Sequence, residues 1–413
     1  MAGKPPRPDS TISGVITTNL ALGNTKNYLL SGLVYVSNNA TLTIAEGGWI
    51  GGIKSANFAV PGGGLIITAG AKINAVGTVS NPIVFSSNES NPTSGDWAGI
   101  VIIGRAPTNL FTSVQVEGIP SGAPVNVSYG GVQNKVVNDS SGALKYVRIE
   151  YAGYELSLDN EINGLTLAGV GNGTILDYIE VYKAKDDAFE FFGGTVNAYH
   201  LIAVDPLDDM FDTDKGYTGT ITYALGLADT SRADKSGSKG IESDNGSNAD
   251  TPYTKPTYNF VTIIGLPSAA AASITNGLPS GVGTYVAAAQ IRNGARFTIT
   301  NSIFMGYNRG IALHSTGTSS GTYGLYFSGI SILNKNYTHA YLSPYLYYPP
   351  ETGFQAQGNM GFVGNNPNAT IMLTNPFSRL SFSNFVPGPI SPARAAGAFP
   401  IGNTTWANGW AIL

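Results

Sequence analysis

Three six-residue phrases constrain this chain more than anything else in it. They are Asp187-Ala188-Phe189-Glu190-Phe191-Phe192, Asp209-Met210-Phe211-Asp212-Thr213-Asp214 and Lys239-Gly240-Ile241-Glu242-Ser243-Asp244. Phe189 and Phe211 are 22 residues apart, and Phe211 and Ile241 are 30 apart. The excess falls in the polar stretch 228–238, which reads as an inserted loop. Strand-like segments 176–182, 199–204 and 221–225 keep the same spacing. A unit of this size cannot bury its own apolar face, so repeats must stack on one another as a solenoid.

Elsewhere, short apolar runs such as Thr41-Leu42-Thr43-Ile44, Leu65-Ile66-Ile67 and Ile83-Val84-Phe85 are each followed by Gly, Asn or Ser, the pattern of strand and turn. Charged residues make up 12% of the chain while hydrophobics reach 42%, which excludes disorder. The 53 glycines suit many tight turns. Parallel strands need crossovers, and these are right-handed in nearly all folds. The expected fold is therefore all-β, a right-handed parallel β-helix with about three strands per coil. Its expected parts are a flexible Pro-rich arm at 1–12, the β-helix at 13–333 and a loop-rich C-terminal cap at 334–413. Trp406 and Trp410 would cover the last coil.

A net charge of −4 without a basic run argues against nucleic acid as a partner. No apolar run is long enough for a transmembrane segment. The first ten residues lack the apolar region of a signal peptide. Absence of Cys excludes disulfides and thiolate metal sites.

Several phrases together resemble a family of secreted or surface-anchored β-helix proteins common in Bacteroidetes. They include Gly95-Asp96-Trp97-Ala98-Gly99-Ile100, Tyr146-Val147-Arg148-Ile149-Glu150-Tyr151, Gly240-Ile241-Glu242-Ser243-Asp244-Asn245 and Trp406-Ala407-Asn408-Gly409-Trp410. The resemblance covers roughly residues 30–413. It implies an extracellular or outer-surface location, as a lipoprotein or as cargo of the type IX secretion route, and no established activity. The lipid-bearing N-terminal Cys of many relatives is missing from this sequence.

If Phe189, Phe211 and Ile241 point inward, their neighbours point outward. Glu190, Asp212 and Glu242 then form one row, and Asp214 and Asp244 belong to the next. Carboxylates at strand spacing repel unless they are protonated, hydrogen-bonded or bridged by a cation. Three readings follow. The row is a hydrogen-bonded structural ladder; or Asp212, Asp214, Glu242 and Asp244 bind Ca²⁺; or Glu190, Asp212 and Glu242 are the carboxylates of a polysaccharide lyase or glycoside hydrolase. No paired Arg stands out that would neutralise a uronate or act as base, and the direction of the nearby Lys183, Lys185, Lys215, Lys239 and Arg232 is not fixed by the sequence, so the reading leans away from an enzyme. It favours a structural, adhesive or glycan-binding solenoid, with a glycan or surface partner and self-assembly into oligomers or filaments. Tyr345, Tyr347 and Tyr348 are candidate glycan-stacking residues, with packing of a cap as their other reading. The Gly317-Thr318-Ser319-Ser320-Gly321 phrase reads as a turn rather than a nucleophile elbow. His200, His314 and His339 are too dispersed for a shared metal.

Overall fold

The computed structural model describes residues 3–57, 60–157, 160–247, 249–273, 283–314 and 321–413. The chain divides into two compact units, residues 1–198 with 409–412 and residues 199–408 with 413. Each is a parallel β-coil with three strand rows.

In the first unit, one row runs through Gly64–Ile67, Gly99–Ile103, Leu165–Ala168 and Phe189–Phe192, each parallel to the next. A second row joins Leu20–Leu22, Thr41–Ile44, Lys72–Val76 and the first half of Gly142–Glu150. A third joins Trp49–Gly52, Ile83–Ser87 and the second half of Gly142–Glu150. The apolar positions of these rows, such as Leu42, Ile73, Phe85, Ile100, Leu165 and Phe189, are fully or almost fully buried. Two antiparallel hairpins interrupt the coil, Ser113–Gln115 with Ser128–Gly130 and Tyr154–Ser157 with Asn160–Ile162. Gly142 shows why the turns need glycine: its φ is +107°, and a Cβ there would lie 2.0 Å from the carbonyl oxygen of Ile73.

In the second unit, Phe211–Asp214, Ser238–Ser243, Tyr285–Ile291 and Ile303–His314 build one row. Thr220–Leu227 and Thr257–Ile264 pair along their length, and Thr298–Thr300 and Ile332–Asn334 continue from them. Phe211 and Ile241 face each other in register and are both fully buried, as the repeat requires.

The long strands bend at one residue. Lys145 pairs with Asp177 and Val147 with Ile179, while Tyr146 and Tyr178 between them sit at φ 51° and 56°. This left-handed conformation costs a non-glycine residue about 1–2 kcal/mol. Side-chain stacking offsets it. The rings of Tyr146 and Tyr178 lie 4.4 Å apart and nearly parallel. In the second unit, His200, Tyr223 and Phe260 repeat the arrangement at φ 52°, 58° and 56°, with centroids 5.2 Å apart at each step.

The regular structure starts earlier and ends later than the sequence patterns suggest. Asp9–Ile16 is already a strand paired with Asn27–Val36, and Arg7 donates to the Gly47 carbonyl. Beyond residue 333, Tyr337–Tyr348 is a twelve-residue strand parallel to Ile303–His314, and Met360–Val363 adds to it. The tyrosines of a stretch whose composition suggested a loop are β-formers that pair in register with Ile303–His314. Gly317–Ser320 lie outside the described residues; a six-residue helix, Thr322–Phe327, follows them.

The final segment does not close the end of a coil. It lies along the aromatic bends. In the second unit, Arg379 donates to Ala228 and pairs with Asp205, Ala398 donates to Thr262, and the Trp406 ring lies 5.0 Å from His200. In the first unit, Trp410 meets Tyr146 and Tyr178 edge-on at 6.0 Å from each, and the Ile412 amide donates to both oxygens of Glu180 at 3.1 Å. The bend turns its rings outward, so something apolar must cover them. Among the described residues, no helix is long and apolar enough to cross a membrane.

Candidate functional site

Strand register brings the predicted carboxylates of the second unit together. Asp212 faces Glu242, and one step on Asp214 approaches Asp244. The next strand places Gln290 against Glu242, which carries Arg292 to the level of Asp244. The row is not made of carboxylates alone, because basic side chains lie within it. Lys239 is buried, with Nζ 3.3 Å from Asp209 and 3.2 Å from Glu242. Arg292 Nε donates to Asp244 at 3.0 Å and lies 2.9 Å from Glu242 Oε1. Its N–H is aimed at Asp244, so Glu242 Oε1 gains charge contact without a hydrogen bond. Asp214 is held by its neighbour Lys215.

Asp212 is the exception. It is half-buried and its Oδ1 is shut off from solvent without a hydrogen-bond partner among the described residues. Burial, then repulsion from Glu242 and Asp214, raises its carboxyl well above the usual range despite Lys239 and Arg292. Burial opposes the charge on Lys239, but Asp209 and Glu242 outweigh it and raise its pKa well above the usual value. The cluster thus sets an Asp212 whose carboxyl is harder to ionise beside a Glu242 that is matched by cations.

Glu190, the third member of the expected row, belongs to the first unit. It is buried against Thr166 in register, and Asn163 Nδ2 donates to its Oε2. Asn163 also accepts the Asp187 amide, so Glu190 sits in a local hydrogen-bonded network.

Calcium fits the second-unit cluster poorly as it stands. Oxygens of Asp209, Asp212 and Glu242 lie within 4.8 Å of one another. Ca²⁺ wants about six to eight oxygens, and Lys239 already engages two of these three carboxylates. Of the four residues expected to bind it, Asp214, Glu242 and Asp244 are each taken by a cation.

The three tyrosines divide. Tyr345 is buried and its hydroxyl donates to the Met360 carbonyl, so it cannot stack on a surface ligand. Tyr347 packs against Tyr323 and Phe327, and Tyr348 stacks on His314 at 4.8 Å. Phe327 and Tyr348 are 56% and 42% exposed, which leaves ring surface available. His200 lies in the aromatic bend, and His339 is buried against the Gly364 carbonyl.

The sequence places Asp208 and Asp209 only at turns near the row, and it gives no sign of Arg292. Arg292 stands 48 positions beyond Asp244, past a long insertion that hides the repeat. Only the strand register reveals it.

A family model described as a pectate-lyase-like beta helix domain matches residues 14–341. No curated protein and no solved structure matches the chain.

Proposed function

Because the chain belongs to the pectate-lyase-like β-helix family, we propose that it is a glycan-binding solenoid acting outside the cell or on its outer surface. The observation that carries this reading is exposed aromatic surface in the second unit, where Phe327 packs edge-on to Tyr347 and Tyr348 stacks on His314, both with ring area left open. Aromatic rings present an apolar face suited to the C–H face of a sugar, and a phenol adds a polar edge. The Arg309–Glu351 pair, 2.8 Å long and partly exposed, joins Arg309 of the same strand row to the turn after Tyr348 and offers hydrogen-bonding groups there. The resemblance to surface proteins of Bacteroidetes supports the location and an adhesive or structural role.

Retention on insoluble polysaccharides tests the proposal. Wild type should be retained, and Phe327→Ala with Tyr348→Ala should elute with the void. Equal retention of both would remove this surface from the function. Self-assembly is a separate part of the reading, checked by light scattering across a concentration series; a particle monomeric throughout would dismiss it.

Catalysis is the second reading, favoured by the unequal carboxyls. Asp212, whose carboxyl is pushed well above the usual range, is equipped to donate a proton, and Glu242, held by Lys239 and Arg292, stands one strand away as its carboxylate partner, the pairing that glycoside cleavage uses. Their oxygens lie within 4.8 Å, near the roughly 5–5.5 Å of retaining enzymes. Release of reducing ends or of unsaturated products from a glycan panel, abolished by Asp212→Asn, is the expected result. Turnover that survives Asp212→Asn would place the chemistry elsewhere.

A further inference from the structure

Six Asn-Gly pairs occur in the sequence, at Asn163, Asn172, Asn245, Asn276, Asn293 and Asn408. In such a pair the following amide nitrogen can attack the Asn side-chain carbonyl, because glycine has no side chain to hinder the approach. An N–H already given to an acceptor must first be unpaired, which costs free energy. The pair at Asn276 lies outside the described residues.

The other five pairs divide sharply. Gly164 donates to the Asp187 carbonyl at 2.9 Å, Gly173 to the Asp139 carbonyl at 3.1 Å, Gly246 to Asp244 Oδ1 at 2.7 Å and Gly294 to Thr322 Oγ1 at 3.1 Å. Three of their asparagines are held as well. Asn163 is fully buried and donates to Thr166, Asn245 is fully buried and donates to the Asp250 carbonyl, and Asn293 donates to Asp244. Asn408 differs from all of these. It and Gly409 are both exposed, and neither the Asn408 carboxamide nor the Gly409 amide has a hydrogen-bond partner among the described residues.

We infer that Asn408 is a site of spontaneous deamidation whose product loosens the C-terminal covering of the first unit. The Gly409 nitrogen bonds to Asn408 Cγ, its proton passes to water, and the side-chain nitrogen leaves as ammonia. Water then opens the succinimide at either carbonyl, giving aspartate or isoaspartate. In isoaspartate the main chain runs through the former side chain and is longer by one C–C bond, about 1.5 Å. The contacts just downstream depend on a fixed reach. Trp410 lies 6.0 Å from the rings of both Tyr146 and Tyr178, and the Ile412 amide donates to both oxygens of buried Glu180 at 3.1 Å. Gly409 has no room to absorb the added length, since even a Cβ there would lie 2.9 Å from Val79 Cγ1.

Peptide mapping of the folded wild-type chain, aged at pH 8 and 37 °C and digested at acid pH, tests the site. Isoaspartate at 408 should accumulate at least tenfold faster than at 172, where the pair is equally exposed but the glycine amide is engaged. Its rate should climb between pH 6 and pH 9, because the attacking nitrogen must lose its proton, and Asn408→Gln should abolish it. Hydrogen exchange should then find the Ile412 amide opening faster in the purified isoaspartate form than in fresh protein, with the Phe85 amide unchanged. An Asn408 left intact by ageing, or modified no faster than Asn172, would overturn the site. An Ile412 amide that exchanges equally in the two forms would overturn the loosening. Both measurements are made on the natural sequence, so neither depends on a variant folding.

Discussion

Asp212 faces Glu242 on the neighbouring strand, yet only Glu242 has cations at hand, Lys239 at 3.2 Å and Arg292 at 2.9 Å. Two like groups one strand apart thus have unlike ion-pair partners, and the difference has measurable consequences.

The first is a pH dependence of stability. The folded pKa of Asp212 lies above its unfolded value. Its contribution is therefore complete below the ordinary Asp range and lost as pH rises through the folded pKa, because the unfolded chain releases the proton first. Asp212→Asn removes that loss. Urea unfolding should find the variant more stable than wild type at pH 7, with the gap closing towards pH 3. A gap that widens on acidification would show that Asp212 is ionised in the folded protein.

Lys239 is the keystone of the charges. Removing one partner of a buried pair costs about 3–5 kcal/mol, and here two carboxylates depend on one ammonium. Lys239→Met should lower unfolding free energy by about that amount. It should also free the oxygens of Asp209, Asp212 and Glu242 for a divalent ion, so millimolar Ca²⁺ should raise the Tm of the variant more than that of wild type. A Tm rise equal in the two proteins would locate any Ca²⁺ effect elsewhere.

At the bend, Tyr178 combines a left-handed backbone with ring stacking. Alanine would lose the stacking and keep the backbone cost; glycine would lose both. Tyr178→Gly should therefore be more stable than Tyr178→Ala by about 1 kcal/mol, the reverse of the usual order inside a strand. Thermal melts of the two variants decide it, and Ala above Gly would mean the bend carries no strain.

Trp410 is 1% exposed and covers the Tyr146–Tyr178 stack. Trp410→Ala should cost about 3–5 kcal/mol, read by chemical denaturation. A cost below about 1 kcal/mol, the size of an ordinary surface change, would mean that the tail is only loosely applied.

Much of this architecture was legible in the sequence because strand alternation and repeat spacing are local signals. Phe211 and Ile241 could be placed inward, and Asp212 beside Glu242, from a 30-residue offset alone. What could not be read depends on partners far along the chain. Arg292 reaches Asp244 only after an insertion, and Trp410 reaches Tyr146 across more than half the sequence. The strand at 337–348 is hidden by its Pro and Tyr composition, which suggests a loop, and only its pairing with Ile303–His314 reveals it.

The tail also bears on how the molecule is made. Residues 409–412 pack into the first unit, on the stack of Tyr146 and Tyr178 and on the carboxylate of Glu180. A ribosome delivers the first unit more than two hundred residues before it delivers that covering. Throughout that interval the Tyr146–Tyr178 stack and the Glu180 carboxylate lack the partners that Trp410 and Ile412 bring, so the first unit completes its packing only with the end of the chain.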